Sequence, residues 1–452
     1  MNYPPTAYRQ IIKLAWPFIL ANAAVPVLGL VDTAVIGNLG SIQDLGAIAF
    51  GALIFSFVYW GFGFLRMGTT GFIAQAAGAS DNLEVRAVLG RSLLLAAALG
   101  SLLVILQLPV QWFVFTFLTG SGEVEQIAQL YFSIRIWGAP ATLIGFVLTG
   151  FLVGTGHSKI LLVLQGFLNG LNIVLDLLLA GVFGLGAAGI ALGTVISEWS
   201  AVILGGVLIN RVLLDTGTPG QAFWPAGKIL DLKKLVESLS ANLDIMIRTL
   251  LLVFSFAFFT NQGAKFGDVA LAANHILLQI ISFSTFVLDG FAFAAEGLVG
   301  RAFGAGDSVL FAAAVKRTSL LAALSALLLA LLVLICGPFL IAALTDLTAV
   351  RELALSLIHA AAIYIFLSVA AFQLDGIFIG ASSTRQMLYG AFQSVLFFVL
   401  ACWLLAPNYG LQGLWWSMIA YVVVRAVVLL RYFPTRCQNF SDTVVRERKS
   451  GR

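Results

Sequence analysis

Charge is scarce in this sequence, and its scarcity excludes the most. Only 10% of the 452 residues are Asp, Glu, Lys or Arg, while 60% are hydrophobic; a soluble globular chain carries about 25% charged residues. A free-standing soluble enzyme or a nucleic-acid-binding protein is therefore not expected, and the small net charge of +4 is read below as a consequence of membrane topology. Cysteine is scarce too. Cys336, Cys402 and Cys437 have no metal-binding spacing and do not make a disulfide framework. His157, His275 and His359 are scattered along the chain, so a metal enzyme is not expected and no cofactor is implied. Short segments of period-2 alternation are missing, which excludes a transmembrane β-barrel.

Long apolar runs are what the chain has in abundance, with a mean hydropathy of +1.01. They predict an all-α polytopic membrane protein with roughly twelve transmembrane helices, near 10–37, 45–77, 88–118, 127–154, 160–182, 187–210, 235–262, 269–303, 313–344, 353–380, 386–406 and 411–433. Lys and Arg sort to one side. Arg9 and Lys13 precede the first span, Arg86 and Arg91 follow the second, and Arg211, Lys228, Lys233 and Lys234 follow the sixth; the opposite loops hold little beyond Lys265 and Arg351. The positive-inside rule then puts both termini in the cytoplasm of a bacterial inner membrane. The start, MNYPPTAYRQ, reads as an uncleaved anchor with no signal peptide.

The chain also repeats itself. GTTGFIAQAAGASD (68–81) resembles AAEGLVGRAFGAGD (294–307), so that Gly71, Gly78 and Asp81 fall on Gly297, Gly304 and Asp307. At the same offset GFLVGTGHSK (150–159) falls on GIFIGASSTR (376–385). Two copies of a six-span unit in the same orientation make a parallel repeat. The expected division is an N-terminal lobe over 1–210, a cytoplasmic connection over 211–234, a C-terminal lobe over 235–433 and a basic tail over 434–452. Two homologous lobes predict a central cavity with alternating access.

Two acids stand out against this background. Asp32 is the one charge between Lys13 and Asp44, and Asp176 the one charge between Lys159 and Glu198. A carboxylate placed in hydrocarbon is costly, and such a residue is a functional candidate by default. Counting back from the glycines that end their spans, Asp32, Asp176 and Thr194 share one depth, about 7–12 Å below the outer surface. Gln165, Asn169, Asn172 and Asp176 are spaced by four, three and four residues, which makes one polar stripe on an apolar helix. The stripe should face the bundle interior. Two carboxylates with amide and hydroxyl oxygens suit a shared proton or a hard cation, since two close acids cannot both ionise cheaply. The alternative is a hydrogen-bond cluster that only joins helices. Gln165 and Asn169 are also candidates to line a substrate cavity. Pro17 and Pro26 each remove a backbone hydrogen bond from the first span and provide for its bending beside Asp32.

The second lobe is polar in another way. Asp244 and Arg248 are at i, i+4 and are expected to pair; Asp289 and Glu296 share a face; Asp375 lies within the tenth span. Glu296, Asp375 and Asp289 are secondary candidates for ion binding, with structural ion pairs as the competing reading. Arg135 and Glu198 need partners as well. Taken as a set, the acids give a cavity of acidic character, which favours amphipathic, cationic organic substrates.

VDTAVIGNLG (31–40), the 68–81 stretch, GFLVGTGHSK (150–159) and NIVLDLLL (172–179) resemble the multidrug and toxic compound extrusion (MATE) transporters, most closely their DinF-like branch. The resemblance covers essentially the whole chain. It implies the MATE/MOP-type fold of two pseudo-symmetric six-helix lobes and a secondary active exporter, not an enzyme, working by antiport against H⁺ or Na⁺. It places the coupling site at Asp32, Asn172, Asp176 and Thr194, and no metal is expected beyond a Na⁺ ion there. Bending of the first helix on protonation is proposed for that branch. A NorM-like site would use the second lobe instead, where Glu296 and Asp375 lie. Membrane lipid and small organic substrates are the expected partners, nucleic acid is not, and a monomer is expected. The alternatives are a flippase for lipid-linked oligosaccharides of the same superfamily, which should show a cationic cavity, a membrane-embedded transferase, which should show paired acids for Mg²⁺, and a passive channel.

Overall fold

The computed structural model describes residues 7–39, 41–117, 121–215 and 223–450; the side chains of 25–34, 36–39, 42, 117 and 434–450 lie outside that description. Every described element is helical. In chain order these are α1 (Tyr8–Leu39), α2 (Ile42–Gly61), α3 (Phe64–Gly78), α4 (Asn82–Ile105), α5 (Gln107–Phe117), α6 (Gly122–Arg135), a 3₁₀ turn (Ile136–Gly138), α7 (Ala139–Thr155), α8 (Ser158–Asp176), a π turn (Leu177–Val182), α9 (Gly186–Asp215), α10 (Ala226–Ile229), α11 (Leu232–Ala264), α12 (Asp268–Gly304), α13 (Ser308–Leu344), α14 (Thr348–Gly380) and α15 (Thr384–Ser450).

Among the described residues ten helical stretches are long and apolar enough to cross a membrane. The count differs from the twelve read from the sequence. One reason is the run Thr384–Phe433, which is counted once although Gly410 interrupts it with φ 58° and ψ −139°. The other is α1, which has 32 residues but whose side chains are only partly described. Apolar surface points outward: α13 is the most apolar of the ten stretches and the least buried, the reverse of a soluble fold and the arrangement lipid demands.

The chain divides into two compact units, one of residues 20–77 and 81–239, the other of 1–19, 78–80 and 240–452. This differs from the sequence division in that residues 1–19 and 78–80 group with the second half. The core of the 240–452 unit gathers around Phe259, Phe398, Trp415 and Tyr421, with Trp415 Nε1 donating to Asn274 Oδ1 at 2.9 Å. The core of the 20–239 unit includes Phe55, Tyr131, Phe132 and Ile190.

The repeated sequence motifs build repeated local structure. Asp81 caps α4 by accepting from the Glu84 N–H at 2.8 Å, and Asp307 caps α13 by accepting from the Leu310 N–H at 2.8 Å. The residues just before these caps, Ser80 and Gly306, both have positive φ (58° and 69°). Close helix packing repeats too. A Cβ on Gly150 or Gly154 of α7 would lie 2.6 Å from Arg66 O or 2.8 Å from Thr70 O of α3. At the matching positions of α14, a Cβ on Gly376 or Gly380 would lie 2.6 Å from Ala292 O or Glu296 O of α12. Each half therefore uses one small-xxx-small seam to bring two backbones together.

Candidate functional site

The polar stripe of α8 is turned inward at its C-terminal end. Asp176 is fully buried at 0% exposure, Asn172 is buried at 1% and Asn169 at 9%, while Gln165 is half-buried. Helix geometry explains the set: residues three and four apart share a face, and this face of α8 packs on α9. Immediately after Asp176 the helix widens into the π turn, marked by Phe183 N–H donating to Leu178 O at 2.9 Å. Such turns loosen the i→i−4 ladder and are frequent at functional positions.

α9 comes close because it begins with small residues. A Cβ on Gly189 would lie 2.7 Å from Ala180 N, and a Cβ on Gly193 would lie 2.7 Å from Asp176 Oδ1. That approach brings Thr194 to Asn172. Asn172 Nδ2 donates to Thr194 Oγ1 at 3.2 Å, and Thr194 Oγ1 donates to Ile190 O at 2.8 Å. In this orientation the Asn172 carbonyl oxygen faces Asp176. Turned over, Asn172 Nδ2 donates to Asp176 Oδ2 at 3.2 Å and Oδ1 accepts from Thr194 Oγ1 at 3.2 Å and Thr194 N–H at 3.3 Å. The second orientation is the one that satisfies the amide, because in the first Oδ1 faces only acceptors and Nδ2 faces the Thr194 N–H.

Three of the four coupling candidates, Asn172, Asp176 and Thr194, are thus together. Asp32 lies on α1 in the same compact unit, but its side chain, like that of Pro26, is outside the described residues. Pro17 is buried on α1. Asn169 Nδ2 is buried with no hydrogen-bond partner among the described residues.

Beside the stripe, between α7, α8 and α9, lies a cavity of about 200 Å³. Thr142, Thr149, Gln165 and Glu198 give it polar points, and Leu148, Leu164 and Leu168 contribute to its apolar wall. Gln165 therefore lines a cavity, and Asn169 is not among its lining residues. Glu198 was not expected there. It forms a bidentate pair with Arg135, Nη1 to Oε2 at 2.9 Å and Nη2 to Oε1 at 2.6 Å.

The secondary acids are placed differently. Asp375 is buried and receives two guanidinium groups, from Arg248 and Arg425. A carboxylate so paired has little left to offer a cation, and the ion-pair reading fits it better. The expected local partner of Arg248, Asp244, accepts from Thr384 Oγ1 at 3.0 Å. Glu296 is buried at 2% on α12, and Asp289 is half-buried on the same helix. Among the described residues no group of three or more His, Cys, Asp or Glu side chains is arranged to hold a metal ion.

Comparison with known proteins bears on the whole chain. The MatE family model matches residues 17–178 and 245–404. The DNA damage-inducible protein F of Escherichia coli K12 is 35% identical over 95% of this chain and 92% of its own length. A probable multidrug resistance protein NorM of Thermotoga maritima is 25% identical over 98% of this chain and 96% of its own. The fold matches a solved structure described as the outward-facing conformation of a multidrug resistance MATE family transporter, with a TM-score of 0.84, 18% identity and 96% of each chain covered.

Proposed function

The chain belongs to the MatE family, and from that premise we propose that it is a secondary active exporter of small amphipathic organic compounds, coupled to entry of H⁺ or Na⁺. Members of this family are transporters and not enzymes, and this chain is a multi-pass membrane protein of that kind. The NorM relative of Thermotoga maritima is described as a probable multidrug resistance protein, which disfavours the flippase alternative.

The observation that carries the proposal is the buried Asp176–Asn172–Thr194 set beside a cavity of about 200 Å³. Asp176, with Asp32 as its partner on α1, is the ion switch. In the ionised state Asn172 turns its N–H toward the carboxylate; when Asp176 is protonated, or a cation takes its charge, the amide is released. Asn172, whose Nδ2 donates to Asp176 Oδ2 at 3.2 Å while its Oδ1 accepts from Thr194, supports this assignment. Alternating access follows: ion uptake from outside empties the cavity, α1 bends at Pro17 and Pro26, the lobes rock, and the ion leaves inside. Both termini are assigned to the cytoplasmic face of a bacterial inner membrane, and the protein works as a monomer.

Efflux of a fluorescent dye from cells tests the reading. Asp32→Asn and Asp176→Asn, at wild-type abundance, are each expected to lose at least about tenfold in efflux rate, the effect of removing a titrating group on which the cycle depends. Efflux equal to wild type in both variants would remove the two acids from the mechanism.

A further inference from the structure

A second cavity, of about 520 Å³, lies wholly within the 240–452 unit, between α11 and α15. Its walls follow from how the two helices end. α11 stops at Ala264 in three successive tight turns: Lys265 N–H donates to Gln262 O at 3.2 Å, Phe266 N–H to Gly263 O at 3.1 Å and Gly267 N–H to Ala264 O at 3.1 Å. Gly267, at φ 96°, then turns the chain into α12. Gln262, Lys265 and Phe266 are thereby placed on one wall of the cavity. On α15, Leu400, Trp403 and Pro407 are spaced by three and four residues and share the facing wall. Pro407 has no N–H to give the Trp403 carbonyl four residues back, and the helix is interrupted at Gly410. Phe258 adds a ring held edge-on against buried Phe398, with 5.8 Å between centroids.

The groove is apolar, with a few polar groups and one charge. Trp403 is 75% exposed and Leu400 51%, surface that hydrocarbon covers in a membrane. Lys265 is the one charged side chain lining it, and with Arg351 it is one of the few cations on its side of the membrane in the sequence reading. Arg351 is committed to Asp346 at 2.7 Å. The Lys265 ammonium makes no ion pair among the described residues, not even with Asp268 three residues on. The Gln262 amide and the Trp403 indole N–H also have no hydrogen-bond partner among the described residues. A lysine at a helix C-terminus suits the helix dipole by itself. The dipole does not account for two further unused donors on the same apolar groove.

We propose that the α11–α15 groove is a binding site for one anionic phospholipid of the phosphatidylglycerol type. The phosphate pairs with the Lys265 ammonium, Gln262 and the Trp403 indole donate to head-group and ester oxygens, and an acyl chain lies along Leu400, Trp403 and Phe258. The long lysine stem lets the charge reach the head-group level while its methylenes stay on the apolar wall. Charge complementarity chooses the occupant. The positive charge of Lys265 repels organic cations, so the groove is not a second site for the substrates proposed above, whereas an amphiphile with an anionic head matches both the charge and the apolar walls. On the topology proposed above, the lipid comes from the outer leaflet. The site does not depend on which solute or ion the protein moves.

Thermal unfolding of the purified, detergent-solubilised protein, titrated with dioleoylphosphatidylglycerol, dioleoylphosphatidylcholine or inorganic phosphate, tests the site. In wild type the phosphatidylglycerol is expected to raise the midpoint saturably and at lower concentration than the phosphatidylcholine, and inorganic phosphate to leave it unchanged. Lys265→Ala is expected to weaken the apparent affinity for phosphatidylglycerol at least about tenfold, the loss of one charge-assisted contact, and Lys265→Arg to retain it. Lys233→Ala, which removes an exposed cation elsewhere, is expected to behave as wild type. Ala406→Phe, which fills the groove, is expected to lose the response to both lipids; if it does not fold, the Lys265 variants carry the test. Equal responses to the two lipids in wild type, including none to either, overturn the proposal. So does an unchanged phosphatidylglycerol affinity in Lys265→Ala, an equal loss in Lys233→Ala, or a response to inorganic phosphate that matches the lipid's.

Discussion

Asp176 can sit where it does because of what lies opposite. Gly193 presents only hydrogen atoms to the carboxylate, and a Cβ there would stand 2.7 Å from Asp176 Oδ1 and 3.2 Å from Leu175 Cβ. Gly193→Ala is therefore expected to cost about 1–3 kcal/mol through overpacking and to lower both the thermal unfolding midpoint and ion-coupled efflux. Gly206→Ala on the same helix meets nothing within 4 Å; it is expected to be neutral or to stabilise by up to ~1 kcal/mol from helix propensity. Thermal unfolding of the two purified variants side by side checks the pair of outcomes. Asp176 and its stripe were legible in the sequence because a lone charge in an apolar run and a 3–4 spacing are local signals. The pairing of Arg135 with Glu198 was not, because 63 residues separate them. For Arg248 the local i, i+4 signal pointed to Asp244, while the fold adds Asp375, 127 residues away; such long-range partners are chosen by packing.

Between helices, two kinds of contact carry the argument. The Arg135–Glu198 pair ties the end of α6 to α9, and breaking it from one side leaves a buried charge. Arg135→Gln and Glu198→Gln are each expected to destabilise by about 3–5 kcal/mol, and the double variant by clearly less than the sum; chemical denaturation of all four proteins measures the coupling. The small-residue seams are the second kind. Gly150→Val and Gly376→Val are each expected to lose on the order of 1–3 kcal/mol or more, because the atoms a side chain would meet include backbone carbonyl oxygens that cannot move aside. These glycines were visible in the sequence as a repeated motif, but their partners were not. Asp81 and Asp307 were visible as matched positions of the repeat, but not as the caps they are; the expected spans began at 88 and 313, whereas the helices begin at Asn82 and Ser308. The sequence division between spans ending at 406 and beginning at 411 coincides with the interruption at Gly410, which alone in that run has positive φ.

For the molecule entire, duplication and hydropathy made the architecture readable before any coordinates. Both are properties of many residues at once and survive error at any one of them. Charge balance did not read so easily. The acids that gave the sequence its cationic expectation include Glu198 and Asp375, and both are compensated by arginines in the structure. The acid buried on α8 is Asp176, and on it the proposed coupling depends. The most direct test is substrate efflux from proteoliposomes holding the purified protein, under a proton gradient and a Na⁺ gradient imposed separately. Efflux is expected to be driven by one of the two gradients in wild type and by neither in Asp176→Asn. Efflux that ignores both gradients in wild type, or that responds to a gradient equally in Asp176→Asn, would contradict the account.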